Sequence, residues 1–230
     1  IRENSDLVDL LIEKDPEILI QFETSRIDEA TRADLVIKLL DGFSQKNVWI
    51  THGLNSAERV AKFGQSKKLC EYLLDQISTQ SKFRALSNAL IVLSEFTNLY
   101  GMDKQVQQIL FDCLRSHDIR NYEKGRALAA IVSLGLSSDV ITLYLADHFQ
   151  DDAEGFYVLQ VLRYLKSAHL CEAHIDYFIE AFKLAEKNRE DQYGIRFEVL
   201  NAFCEVHDSA CLCKIISTIA QRHDIFSIDH

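Results

Sequence analysis

The chain is poor in the residues that a sheet-rich fold uses for its turns. It contains 1 proline and 8 glycines among 230 residues, which is few for a protein with many tight turns. No run of alternating apolar and polar residues is bounded by turn dipeptides, so no strand is expected. Hydrophobic residues make up 47% and charged residues 26%, values typical of a globular protein. The composition therefore predicts an all-α protein with long helices.

Basic charge is scarce as well. The chain has 25 Lys and Arg against 35 Asp and Glu, a net charge of −10. Proteins that bind nucleic acids usually carry a basic face, because neutralisation of phosphates supplies most of their affinity. The densest basic stretch in the sequence is short and consists of Lys62, Lys67 and Lys68. We therefore expect no nucleic-acid partner.

Long apolar runs and secretion signals are absent from the sequence. No stretch reaches the ~18 consecutive apolar residues that a transmembrane helix requires, so no membrane partner is expected. The six cysteines lie within helical apolar patterns, without the dense spacing of a disulfide scaffold. This pattern predicts reduced cysteines and a cytoplasmic protein. Because the chain starts at Ile1 and enters a helical pattern almost at once, we expect a piece of a longer protein.

What the sequence does contain is a repeated pattern. Four segments align without gaps: FRALSNALIVL (83–93), GRALAAIVSLG (125–135), GFYVLQVLRYL (155–165) and GIRFEVLNAFC (194–204). Each carries apolar or small residues at the same three offsets, for example Leu128, Ile131 and Leu134, or Phe197, Leu200 and Phe203. The segments start 42, 30 and 39 residues apart, which is the length of a helix pair with its turns. The recurrence predicts a superhelix of about five to six helix pairs.

The rest of the chain divides around this pattern. Asp28 is a predicted N-cap for a helix whose apolar face is Leu35, Val36, Leu39, Leu40 and Phe43. A long helix is expected from Lys82 to Tyr100, ended by Gly101. Residues 44–56 are the least periodic stretch. We therefore predict a helical lead-in with an irregular segment at 1–56 and a continuous solenoid at 57–230.

The sharpest candidate for chemistry is a metal site near the C-terminus. Cys204 and His207 are three residues apart, and Cys211 and Cys213 follow, with a second cluster at 169–174. Positions 211 and 213 would point to opposite sides of a regular helix, so one ion cannot easily recruit both. We expect core cysteines and no metal. Because no glycine-rich phosphate loop and no nucleophile motif occurs either, we expect no cofactor and no catalysis.

The irregular segment contains the candidate binding residues. Trp49 is the only tryptophan, and His52 follows it closely. Exposed tryptophan is enriched at interaction hot spots, so both residues are candidates for contact with a protein partner. The alternative is that Trp49 packs the lead-in helices onto the first repeat.

The repeated helices resemble HEAT-type repeats, above all in EKGRALAAIVSLG (123–135), whose small residues allow close packing. The resemblance covers about residues 81–221 and implies a HEAT/armadillo-like α-α superhelix. The stretch 15–43 also resembles bacterial STAND-type NTPases with a NACHT-like module. The residues that carry this second match are Asp15, Pro16, Glu17, Arg32, Leu35 and Val36.

The second resemblance implies a cytoplasmic sensor or defence protein with an NTPase module upstream of the helical region. The sequence is thus interpreted as a non-catalytic scaffold that binds a protein or a neighbouring domain of the same polypeptide. One alternative is an enzyme of the HEAT-like DNA glycosylase type, which would need a basic concave surface holding an acidic catalytic residue. The other alternative is a stand-alone adaptor.

Overall fold

A computed structural model describes residues 27–46, 48–50, 57–79, 83–147, 155–187 and 194–220. Within these ranges the chain forms eleven helices and no strand, which confirms the all-α prediction there. Two compact units meet in the sequence between Leu136 and Ser137. The division into 1–56 and 57–230 stays a prediction. The helices expected before residue 27 lie outside the described residues.

The helices of the first unit are α1 (Glu29–Gln45), α2 (Ala57–Gly64), α3 (Lys67–Ser78), α4 (Phe83–Leu93), α5 (Asp103–Arg115) and α6 (Asn121–Ser133). The helices of the second unit are α7 (Asp139–Asp147), α8 (Gly155–Ser167), α9 (Ile175–Lys187), α10 (Ile195–Phe203) and α11 (Ser209–Ala220). No described helix combines the length and the apolar content that a bilayer crossing demands.

The helix starts follow the expected capping chemistry. The carboxylate of Asp28 accepts hydrogen bonds from the backbone N–H of Thr31 at 3.0 Å and from its hydroxyl at 2.7 Å. Ser66 caps α3 by accepting from the N–H of Leu69 at 3.1 Å. Ser138 accepts from the N–H of Ile141 at 3.4 Å at the start of α7. These side chains satisfy backbone donors that the helix leaves unpaired.

The first unit packs in a regular way. Sequential helices pack as the pairs α1–α2, α3–α4 and α5–α6. Helices two positions apart also contact each other, in the series α1, α3, α5 and in the series α2, α4, α6. The apolar face predicted for α1 is confirmed, since Leu35, Val36, Leu39, Leu40 and Phe43 are all buried.

Gly64, the last residue of α2, allows α2 to approach α1 closely. A Cβ there would lie 2.6 Å from Cγ2 of Val36, too close for two carbon atoms. The small residue therefore sets the packing distance between these two helices.

Helices α4 and α8 share one burial pattern. In both helices, the third to eighth, tenth and eleventh residues are buried. Each helix is therefore surrounded on nearly all sides by other residues of its own unit. Both place a buried polar side chain at the sixth position, Asn88 in α4 and Gln160 in α8. The alignment of 83–93 with 155–165 is therefore matched by their burial.

The expected helix from Lys82 to Tyr100 is wrong, because α4 ends at Leu93. The hydroxyl of Ser94 donates to the carbonyl of Ile91 at 2.7 Å, and the N–H groups of the next two residues bond three residues back. This tightened turn stops the helix, and Phe96 then folds into the core at 5% exposure. Gly101 does adopt a left-handed φ of 77°, but it precedes α5 rather than ending α4.

The stripe predicted for 194–204 is also wrong. Phe197 is 70% exposed and Leu200 45% exposed, and of the three predicted residues only Phe203 is buried. The buried face of α10 instead consists of Ile195, Val199, Ala202 and Phe203. This helix carries apolar residues on two faces, and the four-residue face packs on α8 and α9.

Candidate functional site

The segment around Trp49 is held in place by a buried asparagine of the first unit. Asn88 is 1% exposed, and its Oδ1 accepts from the backbone N–H of Ile50 at 3.1 Å. Its Nδ2 donates to the carbonyl of Val48 at 3.0 Å. Because the amide binds the residues on both sides of Trp49, the backbone that carries the indole is fixed to α4.

The indole of Trp49 packs among aromatic rings from two helices. Phe83, the first residue of α4, meets it edge-on with ring centroids 5.4 Å apart. Tyr122 of α6 meets it in a second edge-to-face contact at 5.6 Å. Both geometries are favourable for aromatic pairs. Trp49 is nevertheless only half-buried, so part of the indole stays at the surface.

Three arginines surround these rings. The Cζ atom of Arg84 lies 3.8 Å from the ring centroid of Trp49, and that of Arg120 lies 3.3 Å from that of Phe83. Arg126 donates from Nη2 to the hydroxyl of Tyr122 at 2.7 Å. Guanidinium groups over aromatic faces are stabilised by the ring quadrupole. We call this set the arginine–aromatic cluster; its members are Trp49, Phe83, Arg84, Arg120, Tyr122 and Arg126.

A buried carboxylate accompanies the cluster. Glu123 is 1% exposed, and its Oε1 accepts from the hydroxyl of Ser87 at 3.0 Å. Its Oε2 lies 3.5 Å from Nε of Arg120 and has no hydrogen-bond partner among the described residues. Burial raises the pKa of Glu123, while Ser87 and Arg120 oppose this rise. The buried carboxylate therefore attracts Arg120 while it is itself shielded from solvent.

Of the two candidate binding residues, the structure describes Trp49. Trp49 joins the first unit through the contacts above, as the packing alternative predicts, and it keeps an accessible portion for a partner. His52 lies outside the described residues. The binding role of both residues stays a prediction.

The arginines of the cluster were missed in the sequence because they are far apart along the chain. Runs of Lys and Arg in the sequence do not reveal them, because folding gathers single arginines from different helices. A usable signal existed, since Phe83 and Arg84 open α4, and Arg120 and Tyr122 flank the start of α6. An arginine close to an aromatic residue at the starts of two contacting helices indicates a shared cluster.

The cysteines divide into buried and exposed groups. Burial raises the pKa of the Cys70 thiol to about 11 and that of Cys113 to about 12, so both are poor nucleophiles near neutral pH. Cys204 and Cys213 are exposed, against the expectation of core positions, and Cys211 is partly exposed. All six thiols are free.

The candidate metal ligands of the second unit take part in helix connections. Glu172 accepts hydrogen bonds from the backbone N–H groups of His207 at 2.6 Å and Asp208 at 2.9 Å. Asp208 in turn caps α11 by accepting from the N–H of Cys211 at 2.8 Å. Across the described ranges, no three His, Cys, Asp or Glu side chains are grouped so that they could hold a metal ion.

A concavity of about 360 Å³ lies in the first unit between the turn after α4 and the end of α6. Its lining includes Asn98, Asp103 and Ser133. The amide of Asn98 is used locally, since its Oδ1 accepts from the N–H of Tyr100 at 2.7 Å. Its lining contains no lysine or arginine, in contrast to the arginine–aromatic cluster.

Comparison with known proteins returned no matching family profile, no matching curated protein and no matching solved structure.

Proposed function

We propose that this chain is a non-catalytic helical-repeat scaffold that binds a protein through the arginine–aromatic cluster. The observation that carries the proposal is the state of Trp49, an indole that is half-buried, fixed by Asn88 and covered on one face by Arg84. Tryptophan, tyrosine and arginine are the residues most enriched at interaction hot spots. A pre-organised aromatic anchor also loses little conformational entropy when a partner binds.

The contact pattern of the first unit supports a repeat architecture. Contacts between sequential helices, and between helices two positions apart, are what stacked helix pairs produce. The matching burial of α4 and α8 agrees with a recurring structural unit. We propose on this basis that the helices form a HEAT-like superhelix.

A place within a larger bacterial STAND-type NTPase, and with it a cytoplasmic location, belongs to the same proposal. Two of the residues that carry this resemblance, Leu35 and Val36, are buried in α1, where they support the fold. Asp15, Pro16 and Glu17 lie outside the described residues. If the reading frame contains a GxxxxGK[ST] motif upstream of Ile1, the proposal gains support, and a start codon at this position favours a stand-alone adaptor.

The DNA glycosylase alternative gains little from the cluster. Such an enzyme needs a carboxylate that touches its substrate from within a basic surface. Glu123 is the carboxylate shown beside Arg120, and it is 1% exposed and accepts a hydrogen bond from Ser87. The proposal of a binding surface requires no such contact.

Two measurements test the scaffold proposal. Calorimetric titration with Mg-ATP should give no binding heat, and micromolar affinity would contradict the proposal. Immobilised wild-type chain should enrich specific proteins from a lysate of the source cells, and Trp49→Ala should lose them. Phe197→Ala is the matched control, because it removes an exposed aromatic from the second unit. If the partners depend on Phe197 and not on Trp49, the binding surface is misassigned.

A further inference from the structure

The arginine–aromatic cluster is a local concentration of positive charge in an acidic protein. The whole chain carries a net charge of −10, yet Arg84, Arg120 and Arg126 gather around adjoining rings of the first unit. The carboxylate that lies beside Arg120, that of Glu123, is buried. The cluster therefore presents positive charge, whereas the protein as a whole repels anions at long range.

Arg120 has the geometry of a group prepared to bind an anion. Its side chain is 60% exposed, and Phe83 covers one face of its guanidinium at 3.3 Å. A guanidinium covered on its face still directs its N–H groups outward within its plane, where a carboxylate can accept two of them. Glu123 approaches Arg120 only at 3.5 Å, through Nε. The outer edge of the guanidinium is thus available to a ligand.

The backbone adds to this charge. Helices α4 and α6 begin at Phe83 and Asn121, beside the rings of the cluster. Arg120 is the N-cap residue of α6, and its side chain makes no cap hydrogen bond. A helix N-terminus carries a partial positive charge and unpaired N–H groups, and both favour a nearby anion.

We propose that the arginine–aromatic cluster binds an acidic segment of a partner protein, with a carboxylate paired to Arg120 and apolar contact to Trp49. This inference rests on the proposed scaffold function and specifies the chemistry of the partner. The exposed guanidinium of Arg120 matches a segment that carries a carboxylate. A nucleic acid would carry far more negative charge, and the net charge of −10 would oppose it.

The test uses the intact chain and two fluorescein-labelled peptides of equal length, one rich in Glu and Leu and one with Gln in place of Glu. Fluorescence anisotropy at moderate ionic strength should show at least about tenfold tighter binding of the Glu peptide. Arg120→Gln should weaken this binding about tenfold, and Arg120→Lys should restore only part of it, because Lys lacks the planar fork.

The matched control is Arg163→Gln in the second unit. Arg163 resembles Arg120 in exposure, at 50%, and in its ion pair, with Nε 3.4 Å from Oε2 of Glu198. Both variants change the net charge equally, so a general charge effect would weaken binding in both. We expect Arg163→Gln to bind within about twofold of wild type, since exposed charges that the ligand does not contact are screened. Equal weakening in the two variants would overturn the proposal.

Other outcomes also decide the question. Equal binding of the Glu and Gln peptides by the wild-type chain overturns the proposal. Tighter binding of an oligothymidylate than of the Glu peptide, with loss in Arg120→Gln, assigns the cluster to nucleic acid instead. If the Glu peptide fails to bind while captured proteins still depend on Trp49, the acidic partner is wrong and the scaffold function stands. Circular dichroism of each variant confirms that it is folded.

Discussion

The two units of this chain place their polar and apolar side chains in opposite ways. Among the described residues, the first unit buries Ser66, Ser87, Asn88 and Glu123, and the second unit buries one polar residue, Gln160. The second unit exposes five large apolar side chains, and the first exposes one. The five are Val140, Leu143, Phe197, Leu200 and Ile216, and the one is Val48.

The side chains that connect the helices also differ between the two units. In the first unit, buried Asn88 holds the segment after α1. In the second unit, ion pairs join the helices: Glu198 of α10, whose side chain is 13% exposed, lies 3.4 Å from the half-exposed Arg163 and 3.5 Å from Lys166 of α8. Buried hydrogen bonds contribute more than exposed ion pairs, which salt and water screen. The first unit should therefore resist salt more than the second.

The largest expected effect contrasts two phenylalanines of α10. Phe203→Ala should destabilise the second unit by about 3–5 kcal/mol, because it removes a buried ring that packs on Phe182. Phe197→Ala should change the stability by less than about 0.5 kcal/mol, because its ring is 70% exposed. Urea denaturation followed by far-UV circular dichroism measures both. Equal losses would show that Phe197 is covered in solution.

An intermediate effect concerns Asn88. Asn88→Ala should destabilise the first unit by about 2–3 kcal/mol, because the buried N–H of Ile50 and the carbonyl of Val48 lose their partner. Asn201→Ala, at a half-exposed position of α10, is the control, and we expect a change below about 0.5 kcal/mol. Trp49 is the only tryptophan, so its fluorescence during denaturation reports the first unit. An unchanged midpoint for Asn88→Ala would refute the role of these bonds.

The smallest expected effect is a difference in pH dependence between two glutamates. Burial raises the pKa of Glu123 above its ordinary 4.5, so the native state holds the proton more tightly than the unfolded chain does. The stability of the first unit should therefore fall as the pH rises from about 4.5 through the raised pKa. Glu123→Gln should remove this decline, as measured by urea midpoints of Trp49 fluorescence across the pH range.

Glu172 in the second unit should behave in the opposite sense. Hydrogen bonds from the N–H groups of His207 and Asp208 lower its pKa below 4.5. Its contribution is present above about pH 4.5 and is lost as the pH falls through the lowered pKa. Glu172→Gln should therefore reduce the acid sensitivity of α9–α11, as measured by amide hydrogen exchange. Identical pH profiles for the two Gln variants would contradict this assignment.

The sequence predicts helices well where polar and apolar residues separate cleanly. Asp28 marks the start of α1, and the apolar residues of α1 lie on a single face that can be buried. Both the N-cap and the buried face were predicted correctly. In α10 apolar residues occur on two faces, and sequence periodicity cannot show which face meets α8 and α9. The end of α4 depends on the hydroxyl of Ser94 bonding to Ile91, a competition between side chain and backbone that an apolar pattern does not record.

The candidate site was less predictable than the fold. Trp49 could be selected because a single tryptophan in an irregular segment is conspicuous. Its partners come from α4 and α6, and their meeting depends on tertiary packing. Arg120 is likewise paired with a buried carboxylate, Glu123, whereas the sequence alone predicts a glutamate at the surface. Contacts between residues that are far apart in the sequence can be seen only in the structure.

The anchoring of Trp49 has a consequence for the order of folding. Asn88 bonds to residues 38 and 40 positions earlier, and Trp49 touches both α4 and α6. Ordinary repeat arrays join only neighbouring elements, so they can grow from either end and fray one pair at a time. A segment that contacts two different helices, α4 and α6, can take its place only after both have formed, and afterwards it links their opening. Residues 48–50 should therefore become ordered late in folding, and α4 and α6 should open together.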